Sequence, residues 1–348
     1  MTTRVVQWAT GSIGRVCLRH VIDDPALELV GLKVHNPGKV GRDAGDIVRR
    51  PPTGVTATDQ IEDILALDAD VVLHVPINGE SPDEHVEDLR RLLRSGKNVI
   101  TTVGFTYPWA VDQDRAATLD HAAREGGVTL FGTGINPGLV AERLAVTATS
   151  ICTDVDHVLV QEVYDCTPVA SPVFIFDLTG FGRREEDFWT ASAGRARFFE
   201  SLFGEVLGYL SNILALPVER IESDHAVGLT AEDLTLPAGI LPAGTVNAVR
   251  WQWKAVDIDG RPRATLRMIW RAGPAQPGWD EEDGWIVEIE GAPRVRMSLQ
   301  VLDPIGRPEK SKAIQYAVAG PVVRAIDDVC VAPPGILVPP SFAAFRAS

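Results

Sequence analysis

The chain has 348 residues, 45% apolar and 23% charged, with 33 Lys and Arg against 47 Asp and Glu for a net charge of −14. That length suggests two domains, with a core large enough to need neither disulfides nor metals. The composition excludes disordered, collagen-like and coiled-coil chains, and the acid excess argues against a nucleic-acid or anionic-membrane binder.

Four cysteines, Cys17, Cys152, Cys166 and Cys330, form no CxxC pair, and no histidines fall at zinc-finger spacing. They read as reduced thiols of a cytoplasmic protein with no metal site. The opening MTTRVVQW runs straight into a strand pattern without a signal-like leader. No uncharged apolar stretch approaches the roughly 20 residues of a membrane span.

In chain order, Thr3–Trp8, Leu27–Val34, Ala69–Val75, Asn98–Thr102 and Val128–Phe131 are short apolar runs rich in β-branched residues. Strands buried on both faces read this way. Between them lie helical patterns. Ile13–Ile22 is the first. Pro82–Ser95 is the second, with Ser81 as N-cap and Glu84 placed for a capping box. Ala110–Glu125 is the third, stopped by Gly126-Gly127. Strand–helix alternation predicts a parallel sheet with helices on both faces. A helix over Leu139–Thr149 bridges to a different pattern. There, the strand Val155–Tyr164 and a helical stretch Ala191–Leu216 precede Thr245–Ile258 and Pro262–Trp270, which are joined by an Asp259-Gly260 turn. Trp285–Glu290 and Arg294–Leu302 follow. Strands without intervening helices predict a mixed, largely antiparallel sheet. A short helix over Val322–Cys330 and a Pro-rich extended tail complete the chain.

Arg4–Gly14 reads strand, turn, helix start, and matches the dinucleotide fingerprint GxGxxG with Ala9 at the first glycine. Gly11 lets the backbone approach a pyrophosphate, and Gly14 allows close helix–strand packing. The amides of Ser12 and Ile13 would meet the phosphates, with Thr10 beside them. Ala9 suits such a turn if its φ stays negative. An NAD site wants an acid roughly 20 residues on, but the second strand ends Leu32-Lys33-Val34-His35-Asn36-Pro37-Gly38-Lys39, with no acid until Asp43. His35 and Lys39, with Lys33 or Arg42, would suit a 2′-phosphate. The expected cofactor is NADP, with NAD as the other possibility.

Ligands of an open parallel sheet bind beyond the carboxyl ends of its strands. Those ends carry His74, Pro76 and Asn78, then Thr102 and Phe105 with Tyr107 beyond, then Gly134 and Asn136 in the stretch GTGINPG. Asn136 is a candidate partner for the nicotinamide carboxamide or the substrate. No nucleophile elbow and no triphosphate loop is present.

WATGSIGR, HNPGKVGRDAGD, GTGINPG and VAPPGI together resemble a bacterial family. It is the dihydrodipicolinate-reductase-like family that includes 2,4-diaminopentanoate dehydrogenase and the native amine dehydrogenases. The resemblance spans nearly the whole chain. It implies a Rossmann domain over residues 1–138, a substrate-binding and dimerisation domain over 139–320, and a segment 321–348 returning to the first domain. It also implies hydride transfer between NAD(P)H and a carbonyl or imine carbon, in a homodimer acting on a small molecule. The phosphate loop then falls on Ala9–Gly14, adenosine-ribose contacts on His35 and Lys39, and the nicotinamide neighbour on Asn136. Amine-forming relatives carry a glutamate just after the fourth strand. This chain has Thr102-Val103-Gly104-Phe105-Thr106 there, which points away from ammonia-dependent amination. No cluster of Lys and His suited to a dicarboxylate is evident, which points away from dihydrodipicolinate reduction.

Proton donors must then come from elsewhere. Strand alternation puts Glu162 and Tyr164 on one face, and Tyr107 lies on a cofactor-side loop. A carboxylate among apolar neighbours can serve as general acid, whereas a salt bridge to Arg250 or Arg271 would make Glu162 structural. Phe105, Phe174, Phe176, Trp251 and Trp270 would line an apolar pocket for a bulky ketone, aldehyde or imine. Two alternatives stand beside this reading: an amine dehydrogenase using a displaced carboxylate such as Glu162, and a cofactor-binding paralogue without catalysis.

Overall fold

The computed structural model describes residues 2–77, 81, 83–274, 276–279, 282–306 and 311–347. Asn78 and Pro82 lie outside them. The chain divides into two compact units, residues 1–139 with 301–340, and residues 140–300 with 341–348. The return to the first unit therefore begins at Val301 rather than at 321.

The first unit alternates β1 (Thr3–Trp8), α1 (Ser12–Asp23), β2 (Leu27–Lys33), α2 (Ala44–Val48), β3 (Ala57–Thr58), α3 (Ile61–Leu65), β4 (Val71–His74), α4 (Val86–Arg94), β5 (Asn98–Thr101), α5 (Gln113–Gly126) and β6 (Thr129–Gly132). All strands run parallel in the order β6-β5-β4-β1-β2-β3, and the two-residue strand Gly335–Ile336 adds to the free side of β6. The chain fills one side of β1, then crosses to start β4 on the other. This is the Rossmann order, with its switch point at the carboxyl ends of β1 and β4. Each face has its own core. Leu89, Leu92 and Leu93 of α4 and Leu119 of α5 pack on Val6, Val72 and Val99. Val16, Cys17 and Val21 of α1 share the other face with Ala319, Val322 and Val329 from the C-terminal helices. Each such fully buried Val or Leu contributes about 1.5–3 kcal/mol.

Several boundaries move. The chain before α4 forms turns, with Ser81 Oγ accepting from the Asp83 amide at 3.2 Å, so Ser81 caps a turn and the helix starts at Val86. The bridge after Leu139 is π-helical over Val140–Ala145, briefly α-helical over Val146–Ala148, and then a 3-10 turn over Thr149–Ile151. The tail holds two helices, Ala313–Arg324 and Ile326–Val331, the first with Pro321 inside it.

The second unit is a mixed sheet of β7 (Asp154–Asp165), β8 (Arg220–Ser223), β9 (Ala226–Leu229), β12 (Val246–Val256), β13 (Pro262–Arg271), β14 (Gly284–Ala292) and β15 (Val295–Leu299). A small separate hairpin, β10 (Leu234–Leu236) and β11 (Gly239–Leu241), accompanies it. The order is β15-β14-β7-β13-β12-β8, with β9 also on β12. Among the described residues of this sheet, β7 and β13 pair in parallel and the other pairs are antiparallel. The register puts Val158, Val160, Leu266, Met268, Trp251, Trp253, Val287 and Ile289 on one face. The long helix Glu185–Ile213 packs on that face, and Phe199 and Phe203 meet Trp251 and Trp253 with ring centroids 5.7 and 5.0 Å apart. Glu185, Glu186 and Asp187 in its first turn complement the helix dipole, so it starts before Ala191.

Candidate functional site

At the end of β1 the chain turns through Ala9, Thr10 and Gly11 into α1. Ala9 has φ +72°, so the expectation of a negative φ fails. The first fingerprint position takes the left-handed backbone that glycine adopts without cost. Hydrogen bonds hold it there. The Ala9 amide donates to the Lys33 carbonyl at 2.8 Å. Its carbonyl accepts from Nε2 of the fully buried Gln7 at 2.9 Å. A Cβ on Gly14 would stand 2.3 Å from the Ala9 oxygen, so only glycine lets α1 come this close to the turn. A Cβ on Gly11 would meet nothing within 4 Å. Beyond it lies the N-terminus of α1, with no side-chain cap and no acid in its first turn. Free amides at the positive end of a helix dipole, with open space before them, suit a pyrophosphate.

The loop after β2 leans on this turn. Lys39 Nζ donates to the Thr10 carbonyl and to Thr10 Oγ1, both at 2.9 Å. Burial, and then the charges of the exposed Arg15 and Arg42, push its pKa down. No carboxylate pairs with Arg15, Lys39 or Arg42 among the described residues. The His35 ring lies 6.3 Å from Trp8, and its partial desolvation there, followed by the charge of Lys33, lowers its pKa. Lys33 lies inside at 7% exposure, its ammonium 5.0 Å from the Trp8 ring centre, which removes it from a surface phosphate site. Asp43, the first acid after β2, spends its carboxylate on the backbone. It accepts from the amides of Gly45 at 2.7 Å, Thr53 at 3.0 Å and Gly54 at 2.8 Å, which hold its pKa down. It closes a turn and is committed away from a ribose.

At the remaining strand ends the structure separates the candidates. His74 is fully buried, with Nδ1 2.9 Å from Thr101 Oγ1 and its ring 5.4 Å from Trp8. Burial keeps it neutral by pushing its pKa well below the usual value. Its side chain belongs to the interior, which corrects its assignment as a cofactor contact. Phe105 is 3% exposed and packs with Val6, Trp8, Ala9 and Leu130. Its backbone is left-handed, φ +63°, and the packing makes Phe105 core rather than pocket lining. The Gly104–Phe105 chain crosses directly over Gly132, where a Cβ would fall 2.3 Å from the Gly104 oxygen and 2.4 Å from the Phe105 carbonyl carbon. Pro76, Thr102, Tyr107 and Asn136 are half-buried and Gly134 is buried, all in loops at the carboxyl ends of β4, β5 and β6.

In the second unit, Glu162 stands on the apolar sheet face, directly across from Trp285 and diagonal to Trp270. Trp270 Nε1 donates to Glu162 Oε1 at 3.2 Å, and Trp285 Nε1 donates to Glu162 Oε2 at 2.9 Å. The two arginines expected as partners go elsewhere, Arg250 to Asp224 at 3.5 Å and Arg271 to Asp283 at 3.2 Å. Phe174 joins this group, with ring centroids 6.2 Å from Tyr164 and 6.3 Å from Trp270. Burial, and then the charges of neighbouring acids and Cys166, push the Tyr164 hydroxyl up to about 12. Phe176 instead packs over Gly182 and Gly239, and Trp251 is core at 1% exposure. Two residues escaped the sequence reading. Arg15 follows the loop glycines directly, and Trp285 faces Glu162 only through a register that the sequence does not display.

An amine dehydrogenase of Streptomyces virginiae is 30% identical over 344 residues, 95% of this chain and 93% of that protein. The chain belongs to the amine dehydrogenase family. It is an NAD(P)-dependent oxidoreductase. A 2,4-diaminopentanoate dehydrogenase of Acetoanaerobium sticklandii is 29% identical over 209 residues, 58% of this chain and 56% of that protein. Among solved structures, an amine dehydrogenase from Mycobacterium smegmatis shares the fold with a TM-score of 0.76 at 24% identity, covering 97% of this chain and 95% of that one. No family model matches the chain. Among the described residues no helix is long and apolar enough to cross a membrane.

Proposed function

We propose that this enzyme prefers NADP(H) over NAD(H) and acts on the carbonyl or imine carbon of a small, largely apolar substrate. Bound at the α1 N-terminus, the cofactor would supply or accept the hydride, and the protein's part is binding, orientation and exclusion of water. Thr10, Gly11, Ser12 and Ile13 would cradle the pyrophosphate, and Pro76, Thr102, Gly134 and Asn136 would border the nicotinamide. The observation that carries the preference is the group of Arg15, Lys39 and Arg42 beside the phosphate loop, together with an Asp43 already committed to its own turn. Three cations favour a 2′-phosphate, whereas a ribose diol wants a carboxylate. The homodimer and the cytoplasmic location are proposals on the same footing. The first rests on the resemblance, and four free cysteines support the second.

Calorimetric titration with NADP⁺ and NAD⁺ tests the preference. NADP⁺ should bind at least about tenfold tighter, because charge-assisted bonds to phosphate are worth roughly 1.5–3 kcal/mol each. Arg42→Ala should erase most of that difference without touching NAD⁺ affinity. Equal affinities in the wild-type protein would refute the NADP preference. Absence of binding by both nucleotides would remove the glycine loop from any cofactor role.

A further inference from the structure

We propose that Gln7 is the positioning residue of the phosphate loop: its side-chain amide holds Ala9 in the left-handed backbone and keeps the carbonyl oxygens of the turn away from an incoming pyrophosphate; this rests on the cofactor site proposed above. Gln7 lies on β1, opposite Leu32 of β2 and Leu73 of β4, and is fully buried. An apolar side chain would fill such a place at no polar cost, whereas Gln7 leaves its Oε1 without a hydrogen-bond partner among the described residues. A buried, unmatched oxygen is unfavourable. The use of the amide lies in its nitrogen, which donates to the Trp8 carbonyl at 3.2 Å and to the Ala9 carbonyl at 2.9 Å. Both neighbours are acceptors, so the group between them must be a donor.

Those two carbonyls belong to the peptide planes on either side of Ala9. Rotation of the first plane changes φ of Ala9, and rotation of the second changes its ψ. At φ +72° Ala9 carries the strain that drives such a rotation. The first plane has further anchors: its oxygen also accepts from the Val75 amide at 3.1 Å, and its N–H donates to the Lys33 carbonyl at 2.8 Å. The oxygen of the second plane is held by Gln7. The same bonds decide what the loop shows to a ligand. The Thr10 carbonyl accepts from Lys39 Nζ at 2.9 Å, and the Gly11 carbonyl accepts from the Arg15 amide at 3.0 Å. From Trp8 to Gly11 each carbonyl is thus turned to a donor of the protein's own, and the uncapped amides at the start of α1 remain for the phosphates. A phosphate oxygen and a carbonyl oxygen are both acceptors and repel one another, so a turn that lets a carbonyl swing outward loses its anion site. Glycine at position 9 would adopt this backbone without strain. The clamp is needed because residue 9 is alanine, and Gln7 and Ala9 act as a coupled pair.

A double-mutant cycle on Gln7→Met and Ala9→Gly, read by calorimetric titration with NADP⁺ and with NAD⁺, tests the pair. Gln7→Met should weaken both nucleotides by the same factor, about tenfold, the weight that left-handed strain carries in an equilibrium. Both carry the same pyrophosphate, so the ratio of their affinities should hold. The same change made in an Ala9→Gly protein should lose only a small part of that factor. A side chain that merely filled the core would weaken binding equally in both backgrounds. Unchanged binding in Gln7→Met, an equal loss in both backgrounds, or a loss confined to one nucleotide overturns the proposal. If Gln7→Met fails to fold, Gln7→Glu, which keeps the shape and sets an oxygen against the two carbonyls, decides by the same comparison. Folding recovered only in the Ala9→Gly protein is the same coupling read in stability. Failure of both Gln7 variants to fold in both backgrounds makes Gln7 a core residue and overturns the proposal too. A wild-type protein that binds neither nucleotide removes the cofactor role of the loop, and the proposal with it.

Discussion

Ala9 holds a conformation that costs an L-residue roughly 1–2 kcal/mol, in a turn whose hydrogen bonds leave it no alternative. Ala9→Gly relieves that strain and gives back about 0.5–1 kcal/mol of chain entropy. The variant should therefore be more stable by about 0.5–1 kcal/mol in urea unfolding, and a lowered midpoint would contradict the strain. The sequence shows the loop glycines plainly but is silent on φ at position 9, which the closure of the turn decides. The surroundings of other single residues are hidden from the sequence for a related reason. His74 and Phe105 sit at strand ends where ligands gather, but a residue's place along the chain does not say whether its side chain points to solvent or core. Phe105 has a left-handed backbone and its ring lies in the core, and His74 finds its partner in Thr101, 27 residues on.

At the level of elements, periodicity and turn residues display most of the first unit. The five long strands of the parallel sheet and the helices between them are visible as short β-branched runs and amphipathic segments. The two-residue strands β3 and Gly335–Ile336 are too short to have a period. Pro321 normally marks a helix boundary, so the helix Ala313–Arg324 that contains it begins earlier than its sequence suggests. In the second unit the Asp259-Gly260 turn fixes the β12–β13 register locally. The partners of β7 are β13 and β14, more than a hundred residues away, so the pairing of Glu162 with Trp285 is set by tertiary assembly alone. The crossing of Gly104–Phe105 over β6 yields a test at this scale. Gly132→Ala forces a methyl group into backbone on the neighbouring loop. It should cost at least about 1–3 kcal/mol, the usual range for overpacking, read as a lower thermal midpoint. A neutral outcome would mean the loop can lift off the strand.

The whole molecule responds to acid through its histidines. Five of the seven histidines, His20, His35, His74, His157 and His225, have pKa values lowered chiefly by burial. Below about pH 6.5, the unfolded value, the unfolded chain binds more protons than the folded one. The stability present above that pH is then lost as pH falls toward the folded values. The fully buried His74 alone contributes a slope of up to about 1.4 kcal/mol per pH unit. Urea midpoints measured from pH 8 to 5 should hold steady and then decline from about 6.5, and His74→Gln should soften the decline. A flat profile in the wild type would count against a neutral, buried His74.

The first unit is also discontinuous along the chain, since residues 301–340 complete it only after the whole of 140–300 has been made. On the ribosome, the β6 edge and the face of α1 that carries Val16 and Val21 wait uncovered while the second sheet is synthesised. Folding of domains generally follows the order of synthesis. Here the inner unit has most of its sequence before the nucleotide-binding unit has all of its own. A transcript truncated after residue 300 would release a chain with an unpaired strand edge and an exposed apolar helix face, which is substrate for chaperones and proteases rather than a smaller working enzyme.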